Sequence, residues 1–109
     1  MKRVYLFCTN GMSTSLLASK MQKVADAYNL PIEVKAYSDT QIAEIYEQLH
    51  PDVIMLGPQV KHKYQTIKEL YEPKGTPVEL INMQDYGVVD GEKVLKVAIK
   101  RMKEGVNKT

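Results

Sequence analysis

The segment Asp52-Val53-Ile54-Met55-Leu56-Gly57 constrains the fold of this chain more than any other. Its apolar run is four residues long, bounded by an aspartate and a Gly57-Pro58 turn, which is too short for a helix. An unalternating apolar run of that length reads as a strand covered on both faces, the usual state of a central strand in a parallel sheet. Parallel strands need long crossover connections, most often helices.

The rest of the chain supplies them. Residues 3–8 read as a second buried strand, and 14–29 as a helix whose Leu17, Met21, Val24, Ala25 and Tyr28 recur at spacings of three and four. Leu30-Pro31 breaks that helix, and in residues 32–37 Ile32, Val34 and Ala36 alternate with Glu33 and Lys35. Ser38 or Asp39 caps a helix over 40–49 with Ile42, Ile45, Tyr46 and Leu49 inward, before His50-Pro51. After the strand at 52–57 comes a helix over 60–71 facing inward through Tyr64, Ile67, Leu70 and Tyr71. A fourth strand spans 77–82, a connection runs over 83–90, and a last helix covers 91–103 with Val94, Leu95, Ala98, Ile99 and Met102 on one face. Four strands each followed by a helix predict a single α/β domain over 1–109, a four-stranded parallel sheet with helices on both faces. In the flavodoxin-like order 2-1-3-4, the strand order reverses between the first and third strands, where such folds collect ligands.

Composition narrows the function classes. A net charge of +2 is too small to argue for nucleic acid, and part of it lies in Lys100, Arg101, Lys103 and Lys108, which read as a solvated helix end. No apolar run approaches the roughly 20 residues of a membrane span, and the N-terminal run is too short for a signal peptide. One cysteine cannot form an internal disulfide, so a reducing cytoplasm is the expected setting. With two histidines and that cysteine there is no metal-ligand constellation, and no cofactor is expected.

The cysteine is Cys8, where the first strand gives way to Thr9, Asn10, Gly11, Met12, Ser13, Thr14 and Ser15. A strand, a tight loop and a helix aim unpaired N–H groups and the positive helix end at one point, which suits a phosphoryl group. The same setting lowers a thiol pKa toward thiolate. Gly11 lets the backbone come close, Thr9, Ser13, Thr14 and Ser15 bring hydroxyls, and Ser13 or Thr14 is placed to cap the helix. Low-molecular-weight tyrosine phosphatases carry Cys-x5-Arg-Ser here, whereas this chain has Cys8-x5-Thr14-Ser15. Without the guanidinium clamp, a phosphocysteine is suited to being passed on rather than hydrolysed. A cysteine-dependent phosphatase and a flavin carrier are the alternatives. An arsenate reductase would need more cysteines, and a receiver domain would need acids at the end of the first strand.

The segments Y-L-F-C-T-N-G-M-S-T-S-L-L, V-I-M-L-G-P-Q-V and Y-G-V-V-D-G resemble enzyme IIB of the sugar phosphotransferase system, lactose/cellobiose (chitobiose) family, over essentially the whole chain. Thr9-Asn10 stands where that family often has smaller residues. The resemblance implies a cytoplasmic monomer peripheral to a membrane transporter, not inserted in the bilayer and not bound to nucleic acid. Cys8 would take phosphate from a phosphohistidine of enzyme IIA, with residues 9–15 as phosphate loop, and give it to a sugar held by membrane enzyme IIC. The G-P-Q and V-D-G segments look like the cellobiose/chitobiose branch, hence a β-linked disaccharide or short oligosaccharide. Gln59 and Tyr86 are candidates for the rim of the site. Lys61, His62 and Lys63 read as a solvated basic cluster, and Asp85 and Asp90 as turn or cap residues.

Overall fold

The computed structural model describes residues 1–9 and 11–105, without the side chains of Gly11 and Met12. What the sequence suggests for Asn10, Lys108 and the Met12 side chain lies outside the described residues. Strand β1 (Lys2–Cys8) pairs in parallel with β2 (Ile32–Ser38) on one side and β3 (Val53–Leu56) on the other, and β3 pairs with β4 (Val78–Leu80). The sheet is therefore all parallel in the order β2-β1-β3-β4, as expected. Register places Val4 between Val34 and Val53, and Leu6 between Ala36 and Met55.

Side chains on a strand alternate between faces, so the buried residues of β1 divide between two cores. Val4 and Leu6 pack with Leu17, Ala18, Met21 and Ala25 of α1 (Gly11–Ala27) and with Val94, Leu95 and Ala98 of α5 (Gly91–Glu104). Tyr5 and Phe7 pack with Ile42, Ile45 and Tyr46 of α2 (Ile42–Leu49) and Tyr71 of α3 (Tyr64–Tyr71). Tyr5 is buried and its hydroxyl donates to Glu33 Oε1 at 2.8 Å. Burial, then the Glu33 carboxylate, pushes the Tyr5 phenol well above the ordinary range, and burial also raises Tyr71.

Several boundaries differ from the sequence reading. Helix α1 starts at Gly11 rather than at 14, so Ser13 and Thr14 lie within its first turns and neither caps it. The helix read over 40–49 begins as a 3-10 turn, Asp39–Gln41, with Ser38 in a capping box with Gln41. The one read over 60–71 is a 3-10 segment, Pro58–Lys63, kinked at Val60, followed by α3. The connection 83–90 contains a short helix, α4 (Met83–Gly87), capped by Asn82, and Asp90 caps α5. Tyr28 and Leu70 are exposed rather than inward: Tyr28 falls one residue past the end of α1, and in the last turn of α3 Tyr71 takes the buried position.

Two charged residues are more structural than their sequence setting suggests. Arg101 is largely buried and bonds Glu72 at 2.9 Å and Glu79 at 2.8 Å, tying α5 to the β4 edge. Lys63 pairs with the buried Asp39, joining the chain after β2 to the chain after β3. Gly91 explains the V-D-G segment. A Cβ there would stand 2.8 Å from Lys20 Cβ and 2.9 Å from the Lys20 carbonyl carbon, so only glycine lets α5 start against α1.

Candidate active site

Cys8 ends β1 beside the switch point, where the sheet order turns from β2 on one side to β3 on the other. Helix α1 begins three residues later, so the backbone N–H groups of its first turn have no partner within the helix. Residues 11–15 are consequently the first turn of a helix and not an extended loop. Exposed Thr9 precedes this turn, and Ser13 and Ser15 are exposed on it. Ser15 also lines a groove between α1 and β2 with Ala18, Gln22 and Val34.

The sulfur itself is covered, with Cys8 only 1% exposed. Gln59, from the 3-10 segment after β3, lies against it, and the thiol donates to Gln59 Oε1 at 3.0 Å. Tyr86, from α4, brings its hydroxyl to 3.9 Å from Sγ and to 3.0 Å from Thr14 Oγ1. Thr14 is fully buried, so the position that carries arginine in the phosphatase loop holds a small hydroxyl tied to Tyr86. The two side chains flagged for the rim, Gln59 and Tyr86, thus both meet Cys8. They come from the connections after β3 and after β4, which converge with the end of β1 at the carboxyl end of the sheet.

Gly57-Pro58-Gln59 is expected beside the segment after Cys8, but nothing in the sequence shows why its first residue must be glycine. Gly57 donates its N–H to the Phe7 carbonyl at 2.9 Å, holding the end of β3 against the end of β1. A Cβ on Gly57 would stand 2.9 Å from Cys8 Sγ and 3.1 Å from Gln59 Oε1. Its φ of −66° suits any residue, so the requirement is for space, not for backbone freedom. The only sign in the sequence is a glycine directly after a fully apolar strand. Lys61 and His62 are exposed and Lys63 is turned to Asp39, so none of the basic cluster is seen against the sulfur. Among the described residues no group of three or more His, Cys, Asp or Glu side chains is placed to hold a metal, and no helix is long and apolar enough to cross a membrane.

Residues 3–97 match the family described as the lactose/cellobiose-specific IIB subunit of the PTS system. The chain is 42% identical over 100 residues to the PTS system galactose-specific EIIB component of Lactococcus lactis subsp. cremoris, covering 89% of this chain and 93% of that one. The PTS system cellobiose-specific EIIB component of Lactococcus lactis subsp. lactis is equally similar, at 42% over 100 residues with the same coverage of each. The solution structure of the cellobiose-specific phosphotransferase IIB component from Borrelia burgdorferi superimposes with a TM-score of 0.79 at 34% identity, over 98% of this chain and 96% of that one. A profile running over nearly the whole chain, and relatives aligned along most of it, mean that the chain belongs to the lactose/cellobiose-specific IIB family and works as a sugar phosphotransferase of the phosphotransferase system.

Proposed function

We propose that Cys8 is the residue that carries the phosphoryl group. Its thiolate attacks the phosphorus of a phosphohistidine on enzyme IIA, forming the S–P bond as the P–N bond breaks. A hydroxyl of the sugar held by membrane enzyme IIC then attacks the same phosphorus, and the thiolate leaves. Thr9, Asn10, Gly11, Met12, Ser13, Thr14 and Ser15 form the phosphate-binding segment, with the first-turn N–H groups of α1 facing the phosphoryl oxygens. The protein acts in the cytoplasm at the face of its transporter. The sugar is a β-linked disaccharide or short oligosaccharide such as cellobiose or chitobiose, a reading supported by the cellobiose-specific relatives.

The observation that carries this reading is the place of Cys8 at the carboxyl end of β1, at the switch point and three residues before a helix N-terminus. The thiol is the strongest nucleophile such a turn can offer. Thr14 in place of arginine removes the clamp that would speed hydrolysis, which suits transfer to a second acceptor. Intact-mass measurement after incubation with a phosphohistidine donor is the test. The parent should gain one phosphoryl group and pass it on, and Cys8→Ser should lose that onward transfer. A Cys8→Ser protein that still delivers phosphate to sugar at the parental rate overturns the assignment.

A further inference from the structure

We propose that the Gln59 carboxamide reverses its polarity toward Cys8 as the sulfur is loaded, accepting a hydrogen bond from the thiol and donating one to the thiolate and then to the phosphoryl group on sulfur. The second half of this inference rests on the phosphocysteine reading above.

A thiol at 3.0 Å from Gln59 Oε1 is a donor, and the carbonyl end of the amide satisfies it. Thiolate has no proton to give and needs a donor instead. A half-turn about the last side-chain torsion exchanges Oε1 for Nε2 at the same place, so one side chain serves both protonation states of a covered sulfur. No other uncharged side chain of this length offers both ends; a glutamate could only accept, and a methionine of similar shape could do neither.

The surroundings make room for that turn. Gly57 contributes no Cβ in the space shared by Cys8 Sγ and Gln59 Oε1, where one would stand 2.9 Å and 3.1 Å from them. Gln59 is exposed and has buried neighbours on each side, Pro58 and Val60, so the backbone is anchored while the carboxamide is not enclosed. The titratable group that α4 presents to the sulfur is the Tyr86 phenol, 3.9 Å away and already bonded to Thr14. On the 3-10 segment Lys61 and His62 are exposed and Lys63 pairs with Asp39, and α1 carries no charged residue before Lys20.

The experiment is the pH profile of Cys8 alkylation by iodoacetamide, read by intact mass, in the parent, Gln59→Met and Gln59→Glu. The 15N-labelled side-chain amide of Gln59 is followed in parallel by NMR across the same titration. Gln59→Met keeps the length but loses both the weak bond from the thiol and the stronger, charge-assisted bond to the thiolate, so the alkylation midpoint should rise by about half a unit or more, and in Gln59→Glu, where a carboxylate faces the thiolate, by about one unit or more. In the parent, the Gln59 amide protons should move downfield as the thiol ionises. A Gln59→Met midpoint equal to the parent's, or amide protons that do not respond to thiol ionisation, overturns the proposal. Neither readout involves phosphate, so failure here is distinct from failure of the phosphocysteine reading, which the mass measurement on Cys8→Ser decides.

Discussion

The Cα of Gly57 faces the sulfur of Cys8 so closely that a single added methyl group would stand 2.9 Å from Sγ. The other atoms it would meet are Cys8 Cβ at 3.1 Å and Gln59 Oε1 at 3.1 Å, both side-chain atoms. Gln59 Oε1 ends a flexible side chain and Sγ can turn about one bond, whereas Cys8 Cβ is held by the strand and must give by a few tenths of an ångström. Gly57→Ala should therefore alter the site more than the fold, displacing the thiol and the carboxamide at a cost in stability of about 1 kcal/mol. Phosphorylation of Cys8 should slow by about tenfold or more, since misplacing a reacting atom by even part of an ångström is expensive. Urea denaturation and the initial rate of mass gain check the two halves. A variant that is phosphorylated at the parental rate counts against Gly57 as a site residue.

Gly91 is the contrasting case. Its Cβ would meet Lys20 and Met21 backbone atoms at 2.9 and 3.0 Å, and a helix backbone cannot step aside. Gly91→Ala should cost about 1–3 kcal/mol of stability by moving α5 off α1. The alkylation midpoint of Cys8 should remain at its parental value. A shifted midpoint would mean that the α1–α5 contact reaches the site.

Tyr86 and Thr14 share a hydrogen bond of 3.0 Å between a half-buried phenol and a fully buried hydroxyl. Tyr86→Phe and Thr14→Val should each cost about 1 kcal/mol. Together they should cost less than the sum, with a coupling of about 0.5 kcal/mol or more between them. Strict additivity in a urea-denaturation double-mutant cycle would show that the bond contributes nothing to stability.

Alkaline stability follows from Tyr5. Its phenol is raised by burial and by Glu33, so above the ordinary tyrosine value of about 10 the unfolded chain releases a proton that the folded chain keeps. The folded state then binds more protons, and stability falls as pH rises, by up to about 1.4 kcal/mol per pH unit for this group. Tyr71 is shifted in the same direction. Tyr5→Phe should be less stable than the parent at pH 7, having lost the 2.8 Å bond to Glu33. Between pH 10 and about 12 it should lose stability less steeply. Equal slopes in the two proteins, measured by urea denaturation across that range, would rule out Tyr5 as the source.

Much of the fold is legible in the residues because its signals are local. Unbroken Val53–Leu56 reads as a central strand, and the stripes of α2 and α5 name their buried faces correctly. The misreadings share a cause. Gly11, Ser13 and Thr14 are poor helix formers, so the start of α1 reads as loop, yet the turn forms there. Helix α4 is five residues long, too short to show a period. Arg101 reads as one cation among several at a helix end, and only its two carboxylate partners on other elements make it a tie.

The site divides in the same way. That Cys8 ends a buried strand ahead of a helix follows from the order of residue types along 4–17, since strand, turn and helix are decided by near neighbours. That its sulfur is covered, touched by Gln59 and approached by Tyr86, depends on residues 51 and 78 positions away. Those contacts exist because β3 and β4 fall on the same side of β1 and, running parallel to it, deliver the chain that follows them to the same carboxyl end of the sheet. Hydrophobic patterning chooses which residues are inside. Strand order chooses which of them meet, and Gly57, unremarkable in the sequence, is the point where that meeting leaves no room for a methyl group.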